Sequence, residues 1–492
     1  MIRRLFVLAV VWTGVAGAQR GGADWTTSGN DAQRSFWVRT DPKISRESLR
    51  KPGFQFLWKI KLDNDPKQLN SLTPVILLDK YTGYRGHKSL GFLGGSSDNI
   101  FALDTDLGLI HWQNHISTGL KQQGGSPACP GGMTSALTRP ASASMQSASG
   151  GGGGFGRSGP AKTGAGEPGQ GAVTLAQVAA PRVGGARSAL PTPAARPLMV
   201  LYALTSDGML QTMYVSNGAD AEQPTRFLPP HANAVGLIVV DNVAYAETTN
   251  GCGGVANGVW ALDLASKQVA TWNSGSAGTL GTAGPAFGPD GTLYVTTRAG
   301  ALVALEPKTL NVKGSYTPGK QAFTSSPVVF DYKDKILLAA ATRDGRIHLL
   351  DRGAAPLYKT PANSGADFVP GALASWQDSA GTRWILAPDA SSIVAWSVAD
   401  QNGAPVLQPG WVSRHMVSPL TPTIVKGVVF AVSRSSPAVL YALDAATGNE
   451  LWNSGKTIAS LVQSGGLSAG WTQIYVGTHD GTLYAFGFPI EH

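Results

Sequence analysis

The chain is built on a motif that returns about every 45 residues, and that recurrence limits the fold more than any other feature. Phe101-Ala102-Leu103-Asp104, with Gly108 and Trp112, is matched by Tyr441-Ala442-Leu443-Asp444, with Gly448 and Trp452. In both copies four residues separate Asp from Gly and four more separate Gly from Trp. Trp260-Ala261-Leu262-Asp263 with Trp272 is one residue longer, and Val303-Ala304-Leu305-Glu306 with Tyr316 and His348-Leu349-Leu350-Asp351 with Tyr358 are looser copies. A second mark precedes the first: Thr205-Ser206-Asp207-Gly208, Thr297-Arg298-Ala299-Gly300, Thr342-Arg343-Asp344-Gly345 and Thr478-His479-Asp480-Gly481. These turns join β-branched or aromatic runs such as Leu293-Tyr294-Val295 and Ile474-Tyr475-Val476, which predicts hairpins.

Equivalent positions fall at Asp104, Tyr214, Asp263, Glu306, Asp351, Ser397, Asp444 and Gly487. After Tyr214 the intervals are 49, 43, 45, 46, 47 and 43 residues, and the first falls to 51 once a 59-residue insertion is set aside. Eight units of this length, each with room for about four short strands, predict an all-β, eight-bladed β-propeller of four-stranded antiparallel blades. The last unit stops after Tyr484-Ala485-Phe486 without its Trp-bearing strand, while Phe54-Gln55-Phe56-Leu57-Trp58-Lys59 stands ahead of the first complete unit. The N-terminal strand is therefore expected to complete the final blade and remove the open sheet edge.

Around this core the sequence divides plainly. Met1-Ile2-Arg3-Arg4, an apolar run to Ala16 and Ala16-Gly17-Ala18 read as a secretory signal over 1–18, followed by an N-terminal extension over 19–53 and the propeller over 54–488. The propeller is interrupted at 139–197 by a Gly/Ala/Ser/Pro-rich insertion, read as disordered because it has too little apolar area to offset its ordering entropy. The expected location is periplasmic or secreted. No apolar run after the signal is long enough for a transmembrane segment. Of the net charge of +8, two units leave with Arg3 and Arg4 and five sit in the insertion, so the folded body is nearly neutral and nucleic-acid binding has no electrostatic basis. Cys129 and Cys252, the two cysteines, are a disulfide candidate in an oxidising compartment, with two buried free thiols as the alternative.

The repeated Asp residues read as turn-capping scaffolding, since a carboxylate there can accept backbone N–H groups and recurs from unit to unit. Each unit opens with a small polar residue near Pro or Gly, at Thr73, Thr282, Ser325, Thr421 and Ser464. If these begin the innermost strands they are channel-facing candidates for contact with a ligand or partner loop, or they solvate a water-filled channel. The histidines share no ligand spacing, so no metal site is expected. No phosphate loop is present.

The consensus D-G-x-(L/I)-Y-A-L-D-x-x-T-G-x-x-L-W, carried by Asp480 to Ala485 and by Tyr441 to Trp452, resembles the repeat of the pyrroloquinoline-quinone (PQQ) propeller family. That family includes the quinoprotein alcohol dehydrogenases and BamB, a propeller subunit of the outer-membrane barrel assembly machinery. The dehydrogenase branch implies a vicinal disulfide, a calcium held by Glu, Asn and Asp, and a catalytic Asp; this chain has no Cys-Cys pair. The non-enzymatic branch is more similar in size, although the lipid-anchor cysteine of BamB is missing. The resemblance thus implies a monomeric, non-catalytic binding or scaffold protein of the cell envelope, with another envelope protein or a small ligand at the propeller ends and no cofactor. The alternative it implies is a PQQ- and calcium-dependent alcohol or sugar dehydrogenase with a divergent site.

Overall fold

The computed structural model describes residues 24–64, 72–83, 86–120, 125–126, 128–145, 199–275, 278–319, 321–362, 370–463 and 465–489. The signal over 1–18 and the insertion beyond residue 145 lie outside them. Eight sheets follow one another along the chain as the blades of a β-propeller. Blade 1 holds Ile76–Gly83, Gly86–Gly94, Asn99–Asp104 and Leu109–His115 in consecutive antiparallel order, the innermost strand first. Blade 8 holds Ser468–Gly470, Gln473–Gly477 and Thr482–Gly487, and its outer strand is Gln55–Lys61 from the other end of the chain. Lys59 pairs with Tyr484 and Ile60 with Leu483, so the two ends of the chain close the ring.

The sequence motif maps onto the third strand and the turn after it. Asp104, Asp263, Asp351 and Asp444 end third strands, and each accepts the backbone N–H two residues on, at 3.2, 3.0, 2.8 and 2.9 Å. The Gly four residues later has two tasks. Gly108 and Gly448 take φ of 67° and 73°, and a Cβ there would lie 2.6 Å from the Trp58 ring or 2.4 Å from the Trp411 ring. Those rings belong to the preceding blade's outer strand, and each indole N–H donates into the next blade: Trp58 to Thr105 O, Trp112 to Val215 O and Trp411 to Ala445 O, at 2.9–3.0 Å. The Trp of one blade thus docks on the turn of the next.

Three blades depart from the regular plan. Ser397 falls inside the strand Ile393–Gln401 because this strand runs on, and its turn shifts to Asn402-Gly403. Blade 4 has its innermost strand split into Thr279–Leu280 and Ala286–Phe287. In blade 2 the inner position is held by residues around Thr138, which bridges Tyr202, and Pro140–Ala141 lie parallel against Val239 and Val240 of blade 3. The first residues of the segment read from sequence as an insertion are therefore integrated in the sheets. Among the described residues no helix is long and apolar enough to cross a membrane.

The hub is occupied by the chain itself. Within the extension read over 19–53, the stretch from Trp25 to Asp41 visits the blades in ring order. Backbone carbonyls of Trp25, Thr26, Ala32, Gln33, Ser35 and Phe36 accept N–H groups from Leu77, Arg139, Phe287, Val329, Ser375 and Ile424. These donors belong to blades 1, 2, 4, 5, 6 and 7. Thr27 reaches blade 3 through its hydroxyl, donated to Leu237 O, and Asp41 reaches blade 8 by accepting the Thr472 N–H. Arg34, with 0% of its surface exposed, drives between blades 3 and 4 and donates to Pro285 O, Gly236 O, Ser28 O and the Thr27 hydroxyl. Inner-strand N–H groups that the segment shields from solvent need acceptors, and the segment supplies them.

Arg34→Leu keeps the bulk and removes every donor, leaving three buried carbonyls without it. Urea denaturation should show a loss on the order of 3–5 kcal/mol, with the ring still formed at low denaturant.

Candidate functional site

The hub segment makes the two ends of the ring unequal. Lys426, whose N–H meets Val38 O, and Thr472, which meets Asp41, lie in turns between first and second strands. That end is covered. At the opposite end the inner strands begin and the Thr-x-x-Gly turns gather, and here two cavities open side by side.

The axial cavity measures about 230 Å³. Ser28 of the hub segment, Thr73, Ser135, Thr249, Thr282 and Arg298 are among its walls. The channel-facing candidates divide accordingly. Thr73 and Thr282 line this cavity, whereas Ser325 is 0% exposed and accepts the Ala341 N–H inside blade 5. Thr421 is buried against blade 6, donating to Ala372 O, and Ser464 lies outside the described residues. The channel that these positions were expected to surround is filled below the cavity by residues 24–41.

Sequence reading missed the buried carboxyl beside this cavity. Glu247, 1% exposed, sits opposite Val235 in the second strand of blade 3, and Val235 lines the cavity. Burial pushes its carboxyl up to about 8, against the pull of the Thr279 hydroxyl and the Arg34 charge, and its Oε2 has no hydrogen-bond partner. Burial also brings Arg34 down to about 10, with Glu247 and Asp31 opposing. The only available signal was a charged residue in the otherwise small and apolar run Val243-Ala244-Tyr245-Ala246-Glu247.

The larger cavity, about 430 Å³, lies off the axis between blades 1, 2 and 3. Cys129 and Cys252 line it and are joined by a disulfide, with Cα atoms 5.6 Å apart. The chain from Pro130 to Ala136 continues from the bridge as the partition between the two cavities. It is pinned to blade 3 by Asn233 and Asn250, which donate to Ala128 O, by Thr134, which exchanges hydrogen bonds with Ala234, and by the Ser135 hydroxyl, which accepts the Leu237 N–H. Asp98 sits in the wall with its carboxylate gripped by Ser206, whose N–H and hydroxyl donate at 2.8 and 2.5 Å. Burial nevertheless moves Asp98 above the ordinary carboxylate range.

The family resemblance raises the question of a calcium-held quinone on the axis. Among the described residues no three His, Cys, Asp or Glu side chains gather as metal ligands. The axial walls offer mainly hydroxyls and amides with the Arg298 guanidinium, Glu247 holds its proton, and the disulfide joins residues 123 apart rather than neighbours. This donor set does not fit that group.

Glu247 gives a pH signature. Its folded value of about 8 exceeds its ordinary 4.5, so the native protein keeps a proton that the unfolded chain releases. The stabilisation is complete below 4.5 and is lost as pH rises through about 8. In Glu247→Gln, denaturation profiles should lose that slope, a difference on the order of a few kcal/mol across the interval. Replacing both cysteines by serine should lower stability by about 2–5 kcal/mol under non-reducing conditions, read by the same method, and reduced parent protein should match the variant.

Residues 270–487 match the family described as outer membrane protein assembly factor BamB. Solved structures with the same fold include quinohemoprotein alcohol dehydrogenase from Comamonas testosteroni, with a TM-score of 0.59 at 14% identity over 96% of this chain and 81% of that one. A europium-containing methanol dehydrogenase gives 0.56 at 10% identity over 95% and 98%, and BamB from Moraxella catarrhalis gives 0.50 at 12% over 89% and 99%. At such identities the likeness is one of fold. No curated protein matches the chain in sequence. With eight blades and the Asp–Gly–Trp turn, the chain has the eight-bladed β-propeller fold, and its C-terminal blades are similar to that family.

Proposed function

We propose that this propeller is an exported, non-catalytic binding or scaffold protein of the cell envelope, and that it engages its partner at the open end of the ring. The observation that carries the reading is the asymmetry of the hub: residues 24–41 cover one end, while the other presents two adjoining, disulfide-braced cavities. A surface held by strand starts and tight turns is preorganised, so little ordering entropy opposes binding there. The match to a family described as an assembly factor and the signal-like leader support an envelope setting.

The test places a photo-cross-linking residue at exposed Arg343, in a turn at the open end, or at exposed Asn242, in a turn at the covered end, in otherwise full-length protein in its native envelope. A discrete adduct from position 343 and none from 242 is expected. Adducts from 242 alone would reverse the assignment of ends. Adding PQQ with calcium to the purified protein separates the dehydrogenase alternative: a raised Tm together with dye-linked alcohol oxidation would overturn the non-catalytic reading.

A further inference from the structure

The off-axis cavity has a chemistry of its own. Among the described residues lining it there is no Lys or Arg, so these walls offer an anionic ligand no fixed counter-charge. Its large aliphatic side chains among the described residues are Ile116 and Leu120, so an apolar ligand would strand the polar groups that stand beside glycines and the disulfide in the wall. Those groups include the hydroxyls of Ser117, Thr118, Ser126 and Ser206 and the imidazoles of His115 and His231. A hydroxyl is donor and acceptor at once, and a ligand that matches a wall of hydroxyls must alternate donors and acceptors over its surface. The Asp98 carboxylate, 5% exposed and already accepting two hydrogen bonds from Ser206, leaves remaining lone pairs for a neutral donor.

The cavity is also preformed. The Cys129–Cys252 bridge fixes one wall. Gly132 lies so close to Ser96 that a Cβ would fall 1.5 Å from its carbonyl oxygen, so the wall is packed directly on the turn of blade 1. His231 is tied by its N–H to Ser206 O at 2.8 Å. About 430 Å³ is within the range of small-molecule sites.

We propose that this off-axis cavity binds a neutral polyhydroxylated ligand, a sugar or sugar alcohol of mono- to disaccharide size. The inference rests on the binding-protein reading and names a ligand class for it. Failure at the cavity leaves capture of a protein partner standing, and failure of capture leaves the cavity.

The experiment uses the full chain with its disulfide intact. Glucose, maltose and sorbitol are titrated by saturation-transfer NMR and calorimetry, with inorganic phosphate and hexylamine as charged probes. At least one neutral probe should bind saturably with Kd below about 10 mM. Ser117→Trp, a change at an exposed rim position, should weaken that binding at least about tenfold with Tm unchanged. Thr118→Val should weaken it several-fold, and Asn242→Trp at the covered end should leave it as it is. Absence of saturable binding by all three neutral probes, tighter binding of phosphate or hexylamine, or indifference to Ser117→Trp would each overturn the proposal.

Discussion

The innermost strands of this propeller face one another across an axis that the chain itself fills, and their N–H groups pointing into it must find acceptors there. Here a single stretch of main chain, Trp25 to Asp41, satisfies the blades in the order in which they stand around the ring. Much else follows from that constraint. The segment turns repeatedly to present carbonyls to successive blades, with positive φ at Gly29, Asn30, Arg34 and Phe36, and Trp37–Val38 is its one short strand. It also carries Arg34 into a wholly buried position, tolerable because carbonyls from two blades and from the segment itself receive its N–H groups.

Radial order at the perimeter comes from a different source. An indole from each of several outer strands passes its N–H to a carbonyl in the turn of the following blade, over a glycine that has no Cβ to obstruct the ring. Hub and perimeter act at different radii, one through main chain and the other through side chain. Between them they leave a rigid frame whose open end can hold cavities without collapsing.

What could be read from the sequence divides along the same line. The period, the Asp turns and the completing strand were legible because each depends on side chains at fixed spacing: Asp444, Gly448 and Trp452 announce a strand, a turn and a strand. The filled hub was not legible, since carbonyl acceptors are the same for any residue and residues 24–41 have no periodicity to betray their task. Thr73 and Thr282 were legible as strand starts on the axis, but Ser325 and Thr421 share their local pattern and are turned into the sheets instead. The off-axis cavity joins Asp98, Ser206, His231 and Cys252, which are separated by tens of residues and meet only because blades 1 to 3 are neighbours. Blade 6 shows the limit of counting: its motif position lies mid-strand because a lengthened hairpin conserves the period while displacing the turn.

The route of the hub segment also orders events in time. Synthesis delivers Trp25 to Asp41 first, yet the strand groups that these residues satisfy are spread from Leu77 to Thr472. Until the final blade has emerged, the nascent chain holds an acceptor thread with much of its template absent, and the neighbouring strand Gln55–Lys61 has no partner to join. The ring can therefore close only after its final blade has been made, when strand Gln55–Lys61 and the last acceptors of the hub segment find their partners together.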